Sequence, residues 1–583
     1  MADVEAVGAV ADVSDSDERT GWWSHMPFVV RVVSHAAVWV GVLTPMVVII
    51  SKGWIATGDN AAIATRSYQA LTFHPPLVGL PSAAGIGLGH YLYDPGPLEF
   101  WLLAVPVHID TTNGLFLGAS LLAAAVLSVA IEAIWSTKLW LGCAVVAFTV
   151  FDLLWLTPAV FENLPWNAYF PIPFFIATIA LAWVVGTGRF GWWPVMVFVA
   201  SVASQSHLLF VIPCVALTVV APVIGVVTAR RPARLRWLVT GLVVGLASWI
   251  APMTQEFGSN GNLSALLTSN KGQATLGLGY GLRFLAGAGS PDPIWLVHEP
   301  ITFIPTTLFV ESHSAVGGVI VLLLLALLSL VSWKVGQRQL AALAAVCVVV
   351  ALTTVINFSM YPQAQAASVD YLVVFMWVVG ILMWSAAIWA VVAFAPMIVH
   401  PSQYRRARSP RDNDAPVEVS SAARDGVPGL ISTRHGKRSG WVGIASVCVL
   451  CVVGVTALWP LAGYQPRFNT VGWDQNTFTT VNHVASSIEQ NVKPGPVVFV
   501  INSDWGNAYV LATVVDGVAW QLKADGWSPG QSSFYEAYTG LAIPTRKSYT
   551  KVTVSVQDGR VTSLTQVECA PRELDCQSTA AHS

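Results

Sequence analysis

The residues most able to do chemistry in this chain are acids set among apolar sequence. Asp59 stands in "GDNAAIATRSYQ", with Asn60 beside it and Arg66 seven residues on. Asp94 and Glu99 stand in "HYLYDPGPLEFW". Further along, "TPAVFENLPWNAYFP" carries Trp166, Asn167 and Tyr169, "SQSH" carries Gln205 and His207, and "APMTQEFGSNGNLSAL" carries Gln255 and Asn262. A carboxylate at a substrate's edge takes a proton from a hydroxyl as a general base. Amides and aromatic rings suit sugars, and an arginine fork suits phosphate. The chain has no G-x-S-x-G elbow and no Ser-His-Asp order. It has no cluster of His, Asp or Glu with metal-ligand spacing and no Gly-rich phosphate loop. Each residue also has a plainer reading. Asp59 could cap a helix end, Arg66 could snorkel at an interface, His207 could satisfy a helix end, and the amides could tie loops together.

The elements that must position these residues are membrane helices. Only 11% of the 583 residues are charged and 54% are hydrophobic, with mean hydropathy +0.61. Soluble domains carry roughly a quarter charged residues. Windows of ~20 apolar residues recur along the chain, so the fold class is a polytopic α-helical membrane protein of about eleven spans. Basic residues form no exposed face with interleaved aromatics, which leaves no case for nucleic acid. The start is acidic and polar, unlike a secretory signal peptide. The wealth of Ala and Val suggests a high-GC bacterial gene.

Charge sets the orientation. With the N-terminus inside, the inner loops hold Lys138, Arg189, Arg230, Arg231, Arg234, Arg236, Lys334 and Arg338, and a linker basic from Arg405 to Arg438. The outer loops hold only Lys52, Arg66, Lys271 and Arg283. Cytoplasmic loops are the basic ones. This gives a cytoplasmic tail at 1–26, a transmembrane domain at 27–400, a disordered cytoplasmic linker at 401–440, a last helix at 441–460 and an extracytoplasmic α/β domain at 461–583. The plasma membrane is the expected location. In the last domain "PVVFVI" reads as a buried strand, "NAYVLATVVDGVAWQLKADG" as a helix, and the alternation around Asp558-Gly559 as a hairpin. Its polar end holds Cys569 and Cys576, a disulfide pair if that side is oxidising. Nearly every unusual polar residue then falls on the outer face. That placement suits an interfacial enzyme better than a transporter, which should carry polar groups near the bilayer midplane.

At these residues the chain resembles the C-type glycosyltransferase superfamily, integral membrane enzymes that use polyprenyl-phosphate sugars. The resemblance lies in "GD" after the first helix, the Arg-Ser that follows, "PGPL" before the second helix, and "PWNAY", "SQSHLLFV", "APMTQE" and "DYLVVFMW". It implies that Asp59 is the catalytic base of an inverting transfer from a polyprenyl-phosphate donor to a glycan or glycolipid acceptor. It also implies that Arg66, Glu99, Asn167, His207 and Gln255 bind donor phosphate or sugar. Asn60, Gln205, Trp166 and Tyr169 complete the candidate substrate-binding set. Where a His is expected before "PGPL" this chain has Asp94, a second candidate acid. Some members of the superfamily need a divalent metal, but nothing in this sequence requires a cofactor. An arabinofuranosyltransferase or mannosyltransferase of the cell envelope fits an actinobacterial source. A flippase of lipid-linked sugars and a non-catalytic envelope assembly protein are the rival readings.

Overall fold

The computed structural model describes residues 26–82, 92–137, 159–229, 235–258, 261–269, 271–291, 312–363, 371–399, 475–503, 508–530 and 548–569, with isolated positions between them. The N-terminal tail up to residue 25, the linker at 401–440 and the helix expected at 441–460 lie outside the described residues. In chain order the helices are α1 (Met26–Ser51), α2 (Gly58–Gln69), α3 (Leu98–Ile109), α4 (Gly114–Trp135), α5 (Pro171–Gly186), α6 (Trp193–Ser206), α7 (Val211–Ala229), α8 (Leu235–Ser248), α9 (Ile250–Gly258), α10 (Asn262–Thr268), α11 (Gly277–Ala288), α12 (Ala315–Lys334), α13 (Arg338–Ser359), α14 (Tyr371–Val399), α15 (Gln475–Asn491) and α16 (Ala508–Ala524). A short four-residue helix, Ala159–Glu162, precedes α5. The strands are β1 (Pro81–Ser82), β2 (Leu92–Tyr93), β3 (Pro496–Ser503), β4 (Ser528–Gly530), β5 (Tyr549–Gln557) and β6 (Arg560–Cys569).

Among the described residues, six helices are long and apolar enough to cross a membrane, or seven if the α8–α9 pair, bent by 50°, counts as one span. These helices make the chain a helical membrane protein. The count differs from the eleven expected for three reasons. The stretches expected to span from Lys138 and from Trp441 lie largely or wholly outside the described residues. The helix that begins at Pro171 stops after 16 residues, because Gly188 takes a left-handed φ of 90° and a 3₁₀ turn follows. At about 1.5 Å per residue it falls short of a ~30 Å hydrocarbon core. The next helix, α6, has 14 residues.

The short helix α5 is the centre of the assembly. It is apolar on every side and every one of its residues is buried, the condition expected of a helix with no polar face. It packs against α4, α6, α7 and α13. Helix α1 lies on α4. The stretch "GDNAAIATRSYQ", expected as part of an outer loop, is helix α2 instead. Its Ala-rich middle favours helix, and Ala61, Ala62, Ile63 and Ala64 are wholly buried. Helix α3 is a second short helix, packed against both α2 and α4.

The C-terminal segment forms a four-stranded sheet in the order β4-β3-β5-β6, with α15 and α16 packed together. Strand β3 runs parallel to β4 and β5, and β5–β6 is an antiparallel hairpin. Asp558 and Gly559, with φ of 50° and 73°, make its turn. Two such residues match the right-handed strand twist. The buried Val481, Val514 and Val518 of this unit share one continuous core with Ala61 and Phe116. Helix α16 lies directly on α2. Cys569 is disulfide-bonded; Cys576 lies outside the described residues.

Candidate active site

Two acids from separate elements meet at one dipeptide. Asp59 is the second residue of α2, where the helix dipole favours negative charge. Its Oδ2 accepts a hydrogen bond from Trp166 Nε1 at 2.7 Å. Asp94 follows β2, and its Oδ2 accepts from Asn167 Nδ2 at 2.8 Å. Its Oδ1 accepts from the Leu208 backbone N–H at 3.2 Å. Trp166 and Asn167 are neighbours in a run of turns closed by Trp166 N–H to Asn163 O and Tyr169 N–H to Trp166 O. The Tyr169 ring meets Trp166 edge-on, at 5.2 Å between centroids. The turn between the helix at Ala159–Glu162 and α5 thus couples the start of α2 to the end of β2.

The backbone around Asp94 is held on three sides. Its N–H donates to Leu80 O at 2.7 Å and its carbonyl accepts from Gly79 N–H at 3.0 Å. Asn262 brackets the preceding residue, with its Nδ2 donating to Tyr93 O and its Oδ1 accepting from Tyr93 N–H, both at 2.9 Å. Gln255 Oε1 accepts from Asn262 N–H at 3.1 Å. Gln255 and Asn262 therefore brace the strand behind Asp94. Gln205 Nε2 donates to Ser248 O at 2.7 Å, which leaves its Oε1 buried without a partner. Gly96 is needed beside it, since a Cβ there would stand 2.2 Å from that oxygen.

Glu99, in the first turn of α3, is 2% exposed, as is Asp94, whereas Asp59 is partly open to solvent. Glu99 Oε1 has no partner, and Ser206 hydrogen-bonds the carboxyl. The Ser206 hydroxyl reaches Val202 O at 2.9 Å.

Burial raises all three acids from their ordinary values, and neighbouring carboxylate charge adds to the rise at Asp94 and Glu99. Asp59 is raised by desolvation, against the lowering effect of the Trp166 N–H. Asp94 is pushed up to about 8 by desolvation, opposed by its two N–H donors and reinforced by the charge of Asp59. Glu99 is raised well above its ordinary value by desolvation, then by Asp94 and Asp59. Among the described residues none of the three makes an ion pair. His207 caps the turn Leu208–Phe210, its Nδ1 accepting from Leu209 N–H at 3.1 Å. Burial lowers its pKa to about 4, so the ring is neutral at pH 7.

Arg66 lies in the last turn of α2, half-buried. Seven residues from Asp59, it shares that residue's helix face, about 10 Å along the axis. Asn60 is buried, and its Oδ1 has no partner. The structure thus gathers Asp59, Asp94, Glu99, Trp166, Asn167, Tyr169, Gln205 and His207 around one set of contacts. Ser206 and the Leu208 amide were missed by sequence reasoning. Ser206 sits inside the "SQSH" corner and could have been included, whereas a backbone amide has no sequence signal. Among the described residues no three His, Cys, Asp or Glu side chains are arranged to hold a metal ion.

No family model matches the chain, and no curated protein matches it. Among solved structures it is similar to the archaeal oligosaccharyltransferase AglB from Archaeoglobus fulgidus, in complex with an inhibitory peptide and a dolichol-phosphate. The TM-score is 0.35 and the identity 10%, over 91% of this chain and 70% of that one.

Proposed function

We propose that the protein is an inverting membrane glycosyltransferase that moves a sugar from a polyprenyl-phosphate donor to an envelope glycan or glycolipid acceptor on the extracytoplasmic face. The observation that carries the reading is the Trp166–Asn167 dipeptide, whose two side chains hold two acids of unequal exposure. Asp59 is the least buried of the three acids, and it is the base. It takes the proton of the acceptor hydroxyl while that oxygen attacks the anomeric carbon; the bond to the phosphate oxygen breaks, and the lipid phosphate leaves with inversion. A pKa raised by burial suits a base working near neutral pH. Asp94 and Glu99, buried and protonated more readily, shape the pocket and keep further negative charge away from the leaving phosphate. Arg66 is the candidate for that phosphate. Lipid-linked sugars are the available donors because nucleotide sugars are cytoplasmic.

The test is sugar transfer by purified protein in detergent, with a panel of radiolabelled polyprenyl-phosphate sugars and envelope glycan acceptors, beside Asp59→Asn. Transfer by the wild type and none by a folded Asp59→Asn supports the reading. Equal transfer by both removes Asp59 as base and moves the role to Asp94 or Glu99.

A further inference from the structure

Helix α2 carries Asp59, and one of its principal neighbours is not a membrane helix but α16 of the C-terminal unit. The start of α2 meets Thr513 and Gly517, and its end meets Trp520 and Lys523. At the start of α2, Gly58 faces Thr513: a Cβ on Gly58 would lie 3.4 Å from the Thr513 side chain. Gly58 also holds φ at +51°, a conformation side chains rarely adopt. One turn on, a Cβ on Gly517 would stand 3.2 Å from Thr57 Cγ2 and 3.0 Å from Val481 Cγ2. At the far end of α2, the Tyr68 ring meets Trp520 at 6.2 Å and lies 5.6 Å from Lys523 Nζ. The other side of Tyr68 is stacked on His108 of α3 at 4.2 Å. Residues 513, 517 and 520 are spaced four and three apart, so they form one helix face.

These contacts bracket α2 at both ends. At its start glycine backbone meets side chains: a methyl on Gly58 would sit in ordinary contact with Thr513, and one on Gly517 would press on Thr57 and Val481. We propose that α16 is a splint for α2, with Thr513 and Gly517 acting as positioning residues that set where the Asp59 carboxyl stands against Trp166. Only the chemical consequence of that placement rests on the glycosyltransferase reading; the placement itself does not. The C-terminal unit is then a working part of the site, and displacing α16 moves the acid.

Gly517→Ala tests this because the added methyl meets two groups that can be trimmed separately. Thr57→Ser removes the methyl on the α2 side, and Val481→Ala makes room on the α15 side. The readout is the rate at which a small maleimide modifies the Asp59→Cys variant of the full-length purified protein, with the parent protein subtracted for native cysteines. Adding Gly517→Ala should change that rate severalfold, and Thr57→Ser should restore it, whether or not Val481→Ala also does. An unchanged rate, restoration by Val481→Ala alone, or no labelling of the Asp59→Cys variant above the parent would overturn the proposal. A merely structural role predicts rescue by Val481→Ala alone. In the protein retaining Asp59, Gly517→Ala should lower kcat with the donor KM unchanged, again restored by Thr57→Ser. If transfer survives Asp59→Asn, the glycosyltransferase mechanism fails while the labelling result still decides the splint.

Discussion

The chain holds its carboxylates in two different ways at opposite ends of the same helix pair. Near the start of α1 and the end of α4, Glu132 is gripped by an arginine and a histidine. Arg31 Nε donates to Glu132 Oε1 at 2.8 Å and Arg31 Nη2 to Oε2 at 2.5 Å, while His35 Nε2 lies 2.7 Å from Oε1. The Arg31 guanidinium also sits 5.3 Å from the Trp135 ring centroid. About 30 Å away along α1, beyond its other end, Asp59, Asp94 and Glu99 have only neutral donors. A cation-paired acid joins two helices. Acids held only by an indole, an amide and a backbone N–H have no cation to offset their burial, and burial raises their pKa values. The second arrangement costs stability and makes proton transfer available, a trade usual at functional sites. It also separates a structural from a chemical reading of acids in an apolar chain, which composition alone does not do.

The comparison breaks most directly by removing one charge at each end. Asp59→Asn keeps an acceptor for Trp166 but no base, and should lower kcat by about 10²–10⁴-fold, the usual worth of a general base, with little change in thermal midpoint. Transfer kinetics and a melting curve on the same preparation check both. Glu132→Gln should do the reverse. It breaks the fork with Arg31, which is about a third exposed, and after allowance for solvent screening should cost about 1 kcal/mol of stability while leaving kcat and KM alone. If Glu132→Gln abolished transfer in a folded protein, the contrast between the two ends would be wrong.

Asp94 sharpens the contrast through pH. Its pKa is raised in the folded chain to about 8, so between the ordinary carboxylate range and about 8 the folded chain keeps a proton that the unfolded chain releases. Stability should therefore be fullest below that window and fall as pH rises through it. Asp94→Asn should flatten this slope in melting curves taken from pH 5 to about pH 8. It should also lower the midpoint throughout, since an amide turns one N–H toward a donor and leaves a bond unmade, a loss of about 1–3 kcal/mol. An unchanged slope would show that Asp94 is ionised in the folded protein.

Much of this was legible from residue type and spacing. The apolar windows near Pro27–Ser51, Thr112–Ile134, Ala315–Trp333 and Leu340–Asn357 fall on helices long enough to span. "PVVFVI", the helix ending near Gly526 and the Asp558-Gly559 turn stand where period and turn chemistry put them. Asp59 and Asp94 were legible as unusual acids, and Trp166 and Asn167 as polar partners. Their pairing was not, because it joins positions 107 and 73 residues apart through a turn. Helix α2 was hidden because its mouth is polar while its middle is only Ala-rich. Gln255 reads toward substrate in the sequence, yet its carbonyl serves Asn262; a cap and a ligand look alike in sequence. The seat of α16 on α2 has no local signal, since Gly517 and Thr57 are meaningful only once they touch.

The smallest expected effect tests the neutral-donor side of the contrast most finely. Trp166→Phe keeps the ring and its edge contact with Tyr169 but removes the N–H that Asp59 accepts. That hydrogen bond favours the ionised carboxylate and lowers its pKa against the larger effect of burial. Its loss should raise the Asp59 pKa further. Because a base must be ionised, kcat/KM falls as pH drops through that pKa, so the acid limb of the pH–rate profile should already lie above the ordinary Asp value of about 3.9. In Trp166→Phe the limb should move to higher pH, by less than about one unit for a neutral donor worth roughly 1 kcal/mol. The plateau rate at high pH should fall only a few-fold, since the ring still walls the site. A limb that moved to lower pH would mean that Trp166 does not stabilise the charged form of Asp59, and the two-acid dipeptide would lose half of its physical basis.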